Sequence, residues 1–175
     1  MSTIAENIAS VRVRMAEAAR AAGRSPQEIL LCGASKMNDA AACREAISAG
    51  IDCLGENRVQ EMVQKRSEHA YVGAPLHFIG VLQKNKVRQV VGQVDLIHSV
   101  DSMGLLDEID KRAAMNGLTQ NILLEVNIGG EDSKSGFRPE EVESAIKAVL
   151  ARPERHVRIQ GLMAIPPIAE KKGEN

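Results

Sequence analysis

The chain alternates short runs of apolar residues with longer segments in which apolar residues recur every three or four positions. The first such segment, residues 4–22, has the spacing of an amphipathic helix. Six apolar runs of strand length follow, and helix-type segments separate them. The runs lie at residues 29–34, 51–54, 76–79, 96–100, 122–126 and 158–163. Strands buried on both faces and separated by helices are typical of a parallel sheet built from β/α units.

Helix start and stop signals define the intervening segments. Asn38 or Asp39 is suited to cap a helix that ends at Gly50, and Asn57 is suited to cap the next one. Further helices are predicted over residues 83–92, 102–116 and 139–151. A closed (β/α)8 barrel needs eight units and typically ~250 residues. We therefore expect a fold of the (β/α)8 TIM-barrel family with about six of its eight units, in a single domain over residues 1–175 that is truncated at its C-terminus.

Composition and charge narrow the classes of function. The 175 residues are 44% hydrophobic and 26% charged, as in soluble globular proteins. The net charge of −1 favours neither nucleic acid nor an anionic membrane as a partner. No apolar stretch approaches the ~20 residues that cross a bilayer, and the N-terminal segment lacks the apolar core of a signal peptide. We expect a cytoplasmic protein that is a monomer or a weak homodimer.

The cysteines and histidines indicate neither disulfides nor a metal. Cys32, Cys43 and Cys53 are odd in number and form no CxxC pair, so free thiols are expected. The four histidines are scattered, and none has the i, i+4 spacing that places two imidazoles on one helix face. The sequence therefore predicts no metal site.

Lys36 is the first residue to consider for chemistry, because it follows the first predicted strand. The carboxyl ends of the strands form the rim where ligands bind in β/α folds. Burial there would disfavour the ammonium form and lower the pKa of the amine, which could then attack an aldehyde to form a Schiff base. The alternative is an ordinary lysine that extends from the loop into solvent, and position alone leaves both interpretations open.

Other rim positions carry weaker signals. Asn57 either points into the rim or caps a helix, and His77 either faces the barrel interior or is a hydrogen-bonded core residue. A basic cluster of Lys84, Lys86 and Arg88 is most simply a solvated surface. The glycine-rich loop at residues 129–137 could bind phosphate through its amides, although it does not match a P-loop.

Five segments together resemble one protein family in order and spacing. They are ASKMNDAAACREAISAGIDCLGENRVQE, LHFIGVLQKNKV, LIHSVDS, LLEVNIGGEDSKSGF and IQGLMAIP. They resemble the pyridoxal-phosphate homeostasis proteins, which are single-domain relatives of the alanine racemase barrel. The similarity extends over residues 4–168.

The resemblance implies a cofactor site and a role. Lys36 occupies the position that carries pyridoxal 5′-phosphate as a Schiff base in that family, and Asn57 occupies the position beside the cofactor. By the same matching, Ala34, His77 and Met163 are expected to form pocket walls. The implied function is in intracellular vitamin B6 and amino-acid homeostasis, with no established turnover and no catalytic residue. Relatives continue with two further β/α units that hold the phosphate, and nothing in this sequence matches those units.

Three alternatives remain open at this level. A pyridoxal-phosphate-dependent racemase would need an opposing acid/base, and the one tyrosine is Tyr71. A Schiff-base aldolase would need a neighbouring acid/base pair, for which Glu56 and Asp101 are the rim candidates. A regulatory interaction protein would use the basic cluster from Lys84 to Arg88.

Overall fold

The computed structural model describes residues 3–130 and 135–166, and these residues form alternating strands and helices. The strand order in the sheet follows the chain from the first strand to the sixth. The pairs whose register is defined, first with second, fourth with fifth and fifth with sixth, are parallel. The elements are α1 (Ile4–Ala21), β1 (Cys32–Ala34), α2 (Ala40–Ser48), β2 (Cys53–Glu56), α3 (Val59–Ser67), β3 (Leu76–Phe78), β4 (Leu96–Val100), α4 (Met103–Met115), β5 (Gln120–Glu125), α5 (Pro139–Leu150) and β6 (Val157–Met163).

All six predicted strands are present, with shifts at their ends. The first begins at Cys32 and is shorter than expected, because the N–H of Leu31 donates to the Asp52 carboxylate at 2.6 Å and not to a neighbouring strand. A 3-10 turn at Pro26–Glu28 precedes it. The predicted helix over residues 83–92 is a 3-10 helix at Lys84–Gln89. The tail at residues 167–175 lies outside the described residues.

The chain divides into two compact units, residues 1–77 and 78–175. In the first unit, β1 pairs with β2 in the register Cys32↔Cys53 and Ala34↔Gly55. Asp39 caps α2 by accepting from the Ala42 N–H at 2.8 Å, as predicted. Arg12 of α1 contacts the Asp52 carboxylate at 3.0 Å and also donates to the Gly50 carbonyl. Helix α1 is therefore held to the β2 entry by charge as well as by its apolar stripe.

In the second unit, β5 lies between β4 and β6, and its alternate residues are fully buried. Helix α4 covers this sheet with Leu105, Leu106 and Ile109, as predicted from its spacing. Within the described part of the chain, no helix is both long enough and apolar enough to span a membrane. The prediction of one domain over residues 1–175 stays a prediction.

The first unit contains a buried ionic network centred on Glu56. This side chain is fully buried, and its Oε1 atom accepts three hydrogen bonds. The donors are the Ser35 hydroxyl at 2.6 Å, the Lys65 ammonium at 2.7 Å and the Tyr71 hydroxyl at 3.0 Å. Since an unpaired buried carboxylate is costly, these donors must converge for the unit to be stable.

Lys65 is the residue that connects this network to the loop after β1. Its side chain is 6% exposed, and its Nζ donates to the Ser35 carbonyl at 2.6 Å and to Glu61 at 2.8 Å. Glu61 in turn accepts from the Met37 N–H at 2.6 Å. The backbone on both sides of Lys36 is therefore bonded to side chains of α3, and Met37 is held at a φ of 62°.

We expect Lys65→Met to lower the free energy of unfolding of the first unit by roughly 3–5 kcal/mol, because it leaves the buried Glu56 carboxylate without its cation. Urea unfolding followed by Tyr71 fluorescence measures this, since the chain has one tyrosine and no tryptophan. The matched control is Lys147→Met, which breaks an exposed ion pair with Glu143 on α5 and is expected to cost less than about 0.5 kcal/mol. Equal losses in the two variants would contradict the assigned role of Lys65.

We also expect a stability plateau around neutral pH with a loss on each side. The hydrogen bond from Lys65 holds the pKa of Glu61 below its ordinary 4.5, so this contribution is present above pH 4.5 and is lost as the pH falls further. Burial lowers the pKa of Lys65, but the bonds to Glu56 and Glu61 outweigh it and hold the pKa above 10.5. The contribution of Lys65 is thus complete below pH 10.5 and is lost above it. Urea titrations across the acid range should show that Glu61→Gln destabilises less as the pH falls; an undiminished difference would refute the assignment.

Candidate functional site

The two faces of the β1–β2 ladder carry different chemistry, because residues two apart on a strand lie on the same face. Ser35 and Glu56 lie on the face covered by α3 and belong to the buried network. Cys32, Ala34, Cys53 and Gly55 lie on the opposite face. Lys36 and Asn57 each lie two residues after the last register pair, Ala34↔Gly55. They therefore occupy equivalent positions beyond the ends of the two strands.

Lys36 is exposed in the structure, which agrees with the second interpretation that its position left open, a lysine that extends from the loop into solvent. Lys36 is exposed because β1 ends at Ala34 and the chain turns immediately after it. The next residue, Met37, is 88% exposed. The backbone of Lys36 is nevertheless fixed, through the Ser35 and Met37 bonds described above and through Asn38, whose side-chain amide donates to the Lys36 carbonyl at 3.1 Å. The result is an accessible amine on a rigid loop.

Asn57 does not cap α3, so the alternative role as a helix cap that its sequence position suggested is wrong. The N-cap residue is Arg58, and it makes no side-chain capping bond. The Oδ1 atom of Asn57 is buried and has no hydrogen-bond partner among the described residues. Because buried polar atoms in native proteins are nearly always paired, this atom has the capacity to accept a hydrogen bond from a further donor.

The other predicted pocket residues have different surroundings. Ala34 is the exposed last residue of β1, and His77 is a half-buried residue of β3 in the first unit. Met163 ends β6 in the second unit, and its assignment to the cofactor site stays a prediction from the resemblance. The phosphate-binding expectation for the loop at residues 129–137 falls partly on residues 131–134, which lie outside the described residues.

Racemisation or aldol cleavage would need an acid/base residue, and the candidates in the first unit are hydrogen-bonded within the buried network. Glu56 is the last residue of β2, at the strand end where it was expected, but its side chain lies on the face opposite to Ala34 and its Oε1 atom accepts three hydrogen bonds. Tyr71 donates to Glu56, and burial together with the Glu56 charge raises the pKa of its phenol. Neither group is available to move a proton beside Lys36. Asp101, the remaining candidate, follows β4 in the second unit and accepts from the Ser102 hydroxyl at 2.9 Å.

Sequence reasoning did not identify Glu61 and Lys65, which position the Lys36 loop. Their i, i+4 spacing is that of an ordinary surface ion pair. The residues that α3 buries are Val59, Met62 and Lys65. No pattern in the sequence distinguished Lys65 from an exposed partner of Glu61.

Comparison with known proteins agrees with this fold and identifies a family. Residues 2–175 match the family described as alanine racemase, N-terminal domain. The pyridoxal phosphate homeostasis protein of Pseudomonas aeruginosa is 43% identical over 176 residues, covering 100% of this chain and 76% of that protein. The solved structure of PipY from Synechococcus elongatus with pyridoxal phosphate bound is 34% identical, with a TM-score of 0.78 over 95% of this chain and 72% of that one.

A more distant solved structure supports the fold class alone. The alanine racemase of Clostridium difficile is 17% identical, with a TM-score of 0.59 over 78% of this chain and 35% of that one. The predicted (β/α)8 barrel family is therefore confirmed, with a parallel sheet of six strands in the described residues. The resemblance drawn from the five sequence segments is confirmed as well, and the chain belongs to the pyridoxal phosphate homeostasis protein family.

Proposed function

We propose that this chain binds pyridoxal 5′-phosphate covalently through Lys36 and acts in vitamin B6 and amino-acid homeostasis in the cytoplasm. The observation that carries the proposal is the presentation of Lys36. Its amine is exposed, while hydrogen bonds to Lys65 and Glu61 fix the backbone on either side of it. A relative that is 34% identical was solved with this cofactor bound, which supports the same ligand here.

The residues of the first unit fit such a cofactor. Asn57 offers a buried acceptor without a partner to a hydrogen-bond donor of the ligand. Ala34 and Gly55 add little side-chain volume on the same face of the ladder, so a flat ring has room beside Lys36. His77 on β3 is proposed as a further wall residue, as is Met163 from the resemblance. Bound pyridoxal phosphate supplies an aldehyde that a lysine amine holds as a Schiff base.

The protein residues in this proposal hold the cofactor and do not turn over a substrate. Lys36 attaches it and Asn57 orients it, while Glu56, Lys65 and Glu61 keep the loop in place. The proposed state is a monomer or weak homodimer. No nucleic-acid partner is proposed, because the net charge of −1 does not favour one.

The central test is loading of the purified chain with pyridoxal phosphate, followed by desalting. We expect a visible absorbance band and, after borohydride reduction, a cofactor-modified peptide that contains Lys36. Lys36→Ala should lose both signals. Lys84→Ala, which removes an exposed lysine of the 3-10 helix, should keep them. A colourless wild-type protein, or equal loading of Lys36→Ala, would refute covalent binding at this residue.

Asn57→Ala separates cofactor binding from stability. Because the Asn57 Oδ1 atom is buried without a described partner, its removal should change the free energy of unfolding by less than about 1 kcal/mol. The same change should make the loaded cofactor dissociate several-fold faster, measured by decay of the visible band against an aldehyde scavenger. Asn116→Ala, at the exposed end of α4, is the control for both measurements. Unchanged dissociation would remove Asn57 from the site.

A further inference from the structure

Three potential metal ligands meet on the face of the first unit's sheet that carries Ala34. Cys32 of β1, Cys53 of β2 and His77 of β3 have their ligand atoms all within 4.8 Å of one another. In the sequence they are 21 and 24 residues apart, so no spacing motif marks them. The register pair Cys32↔Cys53 brings the two sulfurs side by side, because parallel neighbours in register face the same way.

We propose that Cys32, Cys53 and His77 form a zinc site with three protein ligands and an open fourth position. Two thiolates and one neutral imidazole are a ligand set that zinc prefers, whereas magnesium and calcium prefer oxygen. Two thiolates also balance the charge of Zn²⁺, so the loaded site carries no net charge among the strands. Cys53 is 2% exposed, while Cys32 and His77 are half buried, which leaves one side of the site open for a fourth ligand.

The distances are compatible with metal binding after small side-chain rotations. Zn–S bonds of ~2.3 Å and Zn–N bonds of ~2.0 Å in a tetrahedron place ligand atoms about 3.5–3.8 Å apart. Atoms that now lie within 4.8 Å therefore need to approach by about 1.3 Å at most. The three ligands come from neighbouring elements of one unit, so the approach does not require a backbone rearrangement.

The existing contacts among the three side chains show that they already interact. A hydrogen bond with Cys53 lowers the pKa of Cys32 more than burial raises it. The same bond and burial raise the pKa of Cys53, against a smaller lowering by His77. Zinc would replace these contacts: each thiol that is still protonated releases its proton as the sulfur binds the metal, and no electron is transferred.

The zinc site shares His77 with the proposed cofactor site, but its ligands include neither Lys36 nor Asn57. The proposal therefore does not depend on pyridoxal phosphate binding. Lys36→Ala should keep the metal, and Cys32→Ala should keep the visible band of the loaded cofactor, so failure of one proposal is distinguishable from failure of the other.

The test uses the reduced, metal-free chain titrated with Zn²⁺ and, separately, with Co²⁺ as a spectroscopic probe. We expect one equivalent of zinc to bind in competition with a weak chelator, and the cobalt form to show thiolate-to-cobalt absorbance with the intensity of two Co–S bonds. Cys32→Ala and Cys53→Ala should each weaken zinc binding at least ~100-fold. The matched control is Cys43→Ala, because Cys43 is a buried cysteine of α2 in the same unit and outside the cluster; it should bind like the wild type.

Three results would overturn the zinc site. One is a reduced wild-type chain that binds no zinc under these conditions. Another is zinc binding that survives both Cys32→Ala and Cys53→Ala unchanged. The third is a disulfide between Cys32 and Cys53 in the non-reduced chain, together with no zinc uptake after reduction. The disulfide would be detected as an intact mass lower by two hydrogens and as crosslinked Cys32 and Cys53 peptides. Circular dichroism of each variant excludes unfolding as the cause of a loss.

Discussion

The contact between Glu56 and Lys65 is the constraint on which the geometry of the first unit depends. Both side chains are almost completely buried, and an isolated charge at either position would cost several kcal/mol. Ser35, Tyr71 and Glu61 add further hydrogen bonds to the pair, while the buried Oε2 atom of Glu56 has no partner among the described residues. These bonds hold the ends of β1 and β2 against α3, from Glu61 in its first turn to Lys65 in its last. The backbone around Lys36 is fixed as a consequence of that packing.

The two faces of the β1–β2 pair in the same unit carry different kinds of side chain. The face under α3 carries the ionic network, and its polar groups serve the fold. The opposite face carries small residues, two cysteines and a histidine, and the loops at its end carry Lys36 and Asn57. The alternation of side chains along a strand makes this division possible, because adjacent residues such as Glu56 and Asn57 enter different environments. The Glu56 carboxylate therefore lies on the face opposite to the one whose end carries Lys36 and Asn57.

This division concerns the acid/base groups that a catalyst of proton transfer would need beside Lys36. Racemases and aldolases need an acid or base that faces the substrate. In the first unit, Glu56 and Tyr71 are bonded to each other on the face covered by α3. Lys36 is exposed to solvent in a fixed loop, which suits capture and release of an aldehyde. The family to which the chain belongs includes a relative whose structure holds pyridoxal phosphate.

The sequence by itself determined the β/α order, the six strands apart from their ends, a helix cap at Asn38 or Asp39, and the family, because periodicity, capping and motif spacing are local properties of the chain. It also identified Lys36 and Asn57 through the resemblance. Only the tertiary structure decided that Lys65 is buried and Lys36 exposed, since a lysine's exposure depends on what packs over it. The grouping of Cys32, Cys53 and His77 likewise depends on strand register, which brings together residues more than 20 positions apart.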